Sequence, residues 1–223
     1  MVGSHNGAFG TSNDIYGNHN NAYGYDNSLV GNNNLAVGSQ NVGVGDDNKL
    51  IGTQNVAFGD ANTLAGCQNT AIGDSNTAIG NQNYVHGSYN TALGDHNNLS
   101  GHGNLASGDV NNIWGSGNQV NGDFNDVTGY SNTLTGHVNT VTGSANYLDG
   151  SYNTVSGNDN QIAGGSNFIY GHGNTVLSSD GCTSGDIDIP CLPDKPTCQK
   201  IETNCAPSCH SCPSCPPPPT CHC

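Results

Sequence analysis

The chain has 223 residues, a formal charge of −14, three lysines plus arginines in all, 33 glycines and ten cysteines. So few cations cannot neutralise a phosphate backbone or an anionic lipid surface, which excludes nucleic acid as a partner. No stretch is long and apolar enough for membrane insertion. A hydrophobic fraction of 33% is low for an ordinary globule and, with this much glycine, would read as disorder but for the order in which the residues occur.

The first residues, Met1 to His5, carry neither a charged n-region nor an apolar h-region, so no secretory signal is read there. From Gly3 to Leu177 the chain repeats every seven residues as G-x-x-N-x-φ-x, where φ is usually apolar. Glycine falls at Gly3, Gly10, Gly17 and on to Gly171, and asparagine at Asn6, Asn13, Asn20 and on to Asn174. Unbroken self-similarity at a fixed period predicts a solenoid over residues 1–177. The x-φ-x triplet reads as a strand of about three residues with its middle side chain inward. Gly-x-x-Asn reads as the corner, because glycine tolerates positive φ and the asparagine amide can bond neighbouring backbone.

Inward residues often alternate in size, as in Ala8 with Ile15, Ala22 with Leu29, Leu50 with Ala57, Leu64 with Ala71 and Ala106 with Ile113. A thin core between two opposed strands is filled by one large and one small partner, so two heptads are predicted to make one coil. Ala36 followed by Gly43 breaks the alternation. At about 4.8 Å per coil the rod would be near 60 Å long, with identical asparagines stacked into amide ladders. The predicted fold class is all-β, a parallel β-solenoid followed by a small irregular module.

The residue before each glycine changes character along the rod. It is apolar at Phe9, Tyr16, Tyr23, Val30, Val37, Val44, Ile51, Phe58, Ile72, Ile79 and Leu93. It becomes polar at Ser100, Ser107, Asn121, Thr128, Thr135, Thr142, Asp149 and Ser156, with Trp114 the exception. If the middle of each strand points inward, these apolar residues point outward, where so extended a row calls for a partner. The simplest partner is another copy, in a parallel trimer or a filament. The other arrangement is a wider roll in which these residues face in and the alanines sit near the corner.

Aspartates recur at a spacing of fourteen at Asp46, Asp60 and Asp74, and again at Asp95, Asp109 and Asp123. Stacked carboxylates repel unless screened or bridged, so these rows are either candidate ligands for calcium, a hard cation, or a solvated acidic edge. Nothing points to an enzyme. The single glutamate is Glu202, and the histidines at positions 5, 19, 86, 96, 102, 137 and 172 form no dyad with a nucleophile.

Residues 178–223 hold every proline and nine of the ten cysteines: Cys182, Cys191, Cys198, Cys205, Cys209, Cys212, Cys215, Cys221 and Cys223. Cys209 to Cys215 and Cys221-His222-Cys223 have spacings that zinc could use. Four ligands would nevertheless leave five thiols over, so a disulfide-rich tail is the stronger reading. Nine is odd, leaving one tail cysteine to pair with Cys67, pair with a neighbouring chain or stay free. Pro216 to Pro219 reads as a short polyproline strut.

Two stretches carry family resemblances. His137-Val138-Asn139-Thr140-Val141-Thr142-Gly143 and Ser151-Tyr152-Asn153-Thr154-Val155-Ser156-Gly157 resemble the grass ice-recrystallisation-inhibition proteins. That resemblance implies a left-handed β-roll with asparagine ladders and an ice-binding sheet. The stretches Asn69-Thr70-Ala71-Ile72-Gly73 and Asn76-Thr77-Ala78-Ile79-Gly80 look like the head repeats of trimeric autotransporter adhesins, which implies a parallel trimer with an adhesive surface. On the first resemblance, the candidate ice-face residues are Thr63, Thr77 and Thr91, one column flanked by Ala65, Ile79 and Leu93, together with Thr133, Thr135, Thr140 and Thr142. The last two pairs lie in successive heptads and so are expected on opposite faces. The leading expectation from the sequence is a structural or adhesive protein of an extracellular or virion-type fibre, in an oxidising setting, self-associating through the apolar rows and locked by tail disulfides. The alternatives are an ice-binding protein or a calcium-binding matrix protein.

Overall fold

The computed structural model describes residues 1–177. It contains 25 short strands, β1 (Gly7–Thr11) to β25 (Thr175–Leu177), and no helix among the described residues. Odd-numbered strands form one parallel sheet of 13 and even-numbered strands a second of 12, each in strict sequence order. Strand register advances by fourteen residues per step, as in Thr77↔Thr91 and Val127↔Val141. Two heptads therefore make one coil, as the size alternation predicts. The two domains read from the sequence meet at residue 178, and the second lies outside the described residues.

The second residue of each strand, which is the φ position of the heptad, is inward, and from Ile15 to Val176 these side chains form one continuous core. Ala8 is the exception, being exposed in the first coil. The large inward residues from Val120 onward are all buried. The irregular pair is explained by its neighbours. A methyl group on Gly43 would sit 3.0 Å from both Leu29 Cδ2 and Leu50 Cδ1, so those two leucines already fill the space that Gly43 leaves.

With one inward side chain per half-coil, and alanine at many of those positions, the core is thin, and the asparagine ladders add hydrogen bonds along the axis. Every ladder asparagine from Asn20 to Asn174 is buried. At Asn97 the backbone N–H and Nδ2 both donate to Asn83 Oδ1, at 2.9 and 3.1 Å, and Nδ2 also donates to Gly108 O at 2.7 Å. Asn97 Oδ1 in turn accepts the N–H and Nδ2 of Asn111, both at 3.0 Å. A buried amide satisfied on both sides is what makes asparagine tolerable at this position.

The corner glycine answers two demands. Gly101 has φ +131, and a Cβ there would lie 1.7 Å from Gly115 O of the next coil. The position just before each ladder asparagine is left-handed as well, at His96 (φ 59), Val110 (φ 59) and Gly103 (φ 63), for example. The sequence pattern does not announce this second constraint, because the slot accepts almost any residue type.

Candidate functional site: the two outward sheet faces

Because the φ residue of each heptad is inward, the residues on either side of it form two outward rows per sheet. All eleven apolar residues before glycine stand in these rows. Tyr16, Val30, Val44, Phe58 and Ile72 lie on the 12-stranded sheet, and Phe9, Tyr23, Val37, Ile51, Ile79 and Leu93 on the 13-stranded sheet. Phe9, Tyr16, Tyr23, Val30, Val37, Ile51, Phe58 and Ile79 are exposed, whereas Val44, Ile72 and Leu93 are half-buried. The wider roll with these residues inside does not form, since the alanines it would displace (Ala22, Ala57, Ala71) are fully buried. The apolar rows are thus divided between two opposite faces. Phe9 and Tyr23 stack on one of them with ring centroids 5.0 Å apart.

The candidate threonines do not make one surface. Thr63, Thr77 and Thr91 are adjacent in the 13-stranded sheet, flanked by Ala65, Ile79 and Leu93. Thr133 and Thr135, on β19 (Thr133–Thr135), share that sheet but lie three strands beyond Thr91. Thr140 and Thr142, on β20 (Thr140–Ser144), are on the other sheet, as expected.

The sequence reading did not single out the neighbours of that last pair. In the 12-stranded sheet, β20 lies between β18 (Asp126–Tyr130) and β22 (Thr154–Ser156), with Thr128↔Thr142↔Ser156 and Asp126↔Thr140↔Thr154 in register. Five hydroxyls (Thr128, Thr140, Thr142, Thr154 and Ser156) therefore stand together on three successive strands, bordered by the exposed Trp114 and Tyr170. The fourteen-residue offset contains this signal, but looking for Thr-x-Thr within single heptads passes over it. Neighbours along a row are about 4.8 Å apart and the two rows roughly 7 Å apart. β-Branched threonine has few rotamers to lose, so the array is pre-ordered.

The aspartates lie at the two edges, one row on each. Asp46, Asp60 and Asp74 follow the 12-stranded sheet, and Asp95, Asp109 and Asp123 follow the 13-stranded sheet. Each row belongs to a second, exposed ladder in which a side-chain oxygen accepts the backbone N–H of the residue one coil earlier. The N–H of Asp46 donates to Asp60 Oδ1 at 2.7 Å and that of Asp60 to Asp74 Oδ1 at 3.0 Å. On the opposite edge Asn81, Asp95 and Asp109 donate in turn to Asp95, Asp109 and Asp123, at 2.7, 2.7 and 2.8 Å. His137 and Ser151 extend that edge, with Asp123 N–H donating to His137 Nδ1 at 3.1 Å and His137 N–H to Ser151 Oγ at 3.0 Å. Repulsion between adjacent exposed charges costs about 1 kcal/mol in water, comparable to the gain from one charge-assisted hydrogen bond. The backbone bonds thus account for aspartate at these positions. Among the described residues no group of three His, Cys, Asp or Glu side chains is arranged to hold a metal ion.

Cys67 is free and exposed at a corner, and the nine tail cysteines lie outside the described residues. No helix among the described residues is long and apolar enough to cross a membrane.

A family model described as the grass antifreeze beta roll matches residues 68–150. The match spans a little over a third of the chain and includes Thr77, Thr91, Thr128, Thr133, Thr135, Thr140 and Thr142. Over these coils the resemblance to the grass ice-recrystallisation-inhibition family is shown, and the fold it implies, a parallel β-solenoid with asparagine ladders, is the one that forms. No curated protein matches the chain.

Proposed function

We propose that this protein is a non-catalytic, extracellular ice-binding rod whose 12-stranded sheet carries the ice-contacting patch at Thr128, Thr140, Thr142, Thr154 and Ser156. The observation that carries this reading is the antifreeze-roll match over residues 68–150, coils in which the outward rows turn from apolar to hydroxyl-bearing. Adsorption to a crystal surface needs many weak contacts at regular spacing on a stiff support. Coil stacking fixes the spacing, and buried ladders on both edges supply the stiffness. A patch of stiff hydroxyl and methyl groups orders a layer of water without paying side-chain entropy. Recrystallisation of a frozen sucrose film measures the activity. The wild-type chain is expected to hold grain size at micromolar protein. Thr140→Tyr with Thr142→Tyr should abolish the effect without changing the melting temperature, whereas Thr77→Tyr on the opposite sheet should leave most of it. Unrestrained grain growth with the wild-type chain would end this reading.

A second reading keeps self-association in view, because Val30, Val37, Ile51, Phe58 and Ile79 are exposed on both sheets of the apolar half. Copies packed on these faces would form a trimer or an adhesive fibre. Light scattering on a size-exclusion column would give a multiple of the chain mass under this reading and a single chain under the first.

A further inference from the structure

Next to the hydroxyl patch, the 12-stranded sheet carries a group of side chains with a different chemistry. It is centred on Trp114, the single tryptophan of the chain, on β16 (Asn112–Ser116). Trp114 stands in an outward row of an open sheet, yet it is only 54% exposed, so much of its surface lies against the protein. Its Nε1–H donates to Asn112 Oδ1 at 2.8 Å, two residues back on the same strand. Residues i and i+2 of a strand are roughly 7 Å apart on one face, so this bond draws the indole down along the strand. One ring face is turned to the sheet and the other to solvent. Asn112 is held in turn, its Nδ2 donating to Asp126 Oδ1 at 3.3 Å on the neighbouring β18. On the other side, β14 (Asn98–His102) places Asn98 beside Asn112 and Ser100 beside Trp114. Among the described residues the Asn98 amide, the Ser100 hydroxyl and Asp126 Oδ2 have no hydrogen-bond partner. They stand one strand away on either side, a step of about 4.8 Å.

A flat, fixed aromatic face flanked by free donors and acceptors fits a ligand that is apolar on its faces and polar around its rim. A pyranose with equatorial hydroxyls has that form, with axial C–H groups on the ring faces and hydroxyls at the edge. The indole supplies the apolar contact. The amide and carboxylate oxygens accept from hydroxyls, and the amide N–H groups donate to them. The one Lys or Arg among the described residues is Lys49, on the 13-stranded sheet, so an anionic sugar finds no cation at this site. A single ring also builds no cage around an ammonium group. We propose that this platform binds a neutral glycan of equatorial, β-linked pyranose units, stacked on Trp114 and hydrogen-bonded by Asn98, Ser100 and Asp126. Because the face is open and flat, it takes the interior of an extended chain as readily as its end.

Tryptophan fluorescence reports on this site alone, since the chain has one tryptophan. Titration of the full chain with cellohexaose is expected to shift the emission to the blue and to saturate. Asp126→Ala should weaken that response roughly tenfold at an unchanged melting temperature. Trp114→Ala, which removes the reporter, is followed by electrophoresis through a gel containing hydroxyethylcellulose. The wild-type chain and Thr77→Tyr on the opposite sheet should be retarded there, and Trp114→Ala should migrate freely. Unchanged emission up to about 10 mM cellohexaose would overturn the proposal, and so would retardation that Trp114→Ala leaves intact. An emission change with choline and none with cellohexaose would assign the ring to an organic cation and overturn it as well. Ice adsorption is tested at Thr140 and Thr142, so either proposal can fail without the other.

Discussion

At the scale of single residues, the corner separates two demands that the repeat pattern merges. Gly101 and Gly103 both have positive φ, but a Cβ on Gly101 meets a carbonyl oxygen at 1.7 Å while one on Gly103 meets nothing within 4 Å. Gly101→Ala must push two coils apart and should cost about 3 kcal/mol or more. Gly103→Ala carries only left-handed backbone strain and should cost about 1 kcal/mol. Chemical denaturation of the two variants measures the difference, and equal losses would mean that coil contact is not what selects glycine. The same slot holds Val110, a β-branched residue at φ 59 with an exposed side chain. Val110→Gly should raise stability by about 0.5 kcal/mol, the relieved strain exceeding the added freedom of the unfolded chain.

At the scale of the element, the unit is the half-coil: a strand, a corner and one ladder asparagine. Removing the side chain in Asn97→Ala takes both donors from Asn111 off their shared acceptor and leaves Gly108 O without its 2.7 Å bond. With several buried groups affected, the expected loss is about 3 kcal/mol, read as a lower denaturation midpoint. A loss no larger than that of an exposed asparagine such as Asn121 would mean that the ladder contributes little. Much of this element was legible in the sequence, because Gly and Asn recur without a slip and a constant fourteen-residue register turns spacing directly into neighbours. The inward row, the outward placement of Phe58 or Ile79, and the separation of Thr133 from Thr140 all follow from that arithmetic. Other features were not legible. The left-handed slot accepts valine, tyrosine or glutamine alike, so composition does not mark it. The aspartate rows pointed to charge and cations, whereas their bonds are to backbone N–H groups of the preceding coil. The patch around Thr142 lies across coils, two heptads apart, so no single repeat displays it.

At the scale of the whole molecule, the rod presents two flat faces whose chemistry changes along its length. The half up to Leu93 exposes apolar rows on both sheets, and the half beyond combines polar residues before glycine and a hydroxyl cluster on three strands with exposed Trp114, Tyr147, Phe168 and Tyr170. Such a gradient suits a molecule that meets one surface with one region while keeping the others solvated. Its stiffness comes from hydrogen bonds along the axis more than from a thick core, so the spacing of surface groups is set by the backbone and does not adjust to a partner. A regular crystal surface is the kind of ligand that rewards this. The most direct measurement is the partition of fluorescently labelled protein at a slowly growing ice hemisphere. The account predicts that labelled wild-type chain is incorporated into the ice while Thr140→Tyr with Thr142→Tyr is pushed ahead of the front. Exclusion of the wild-type chain, like that of an ordinary soluble protein, would contradict it.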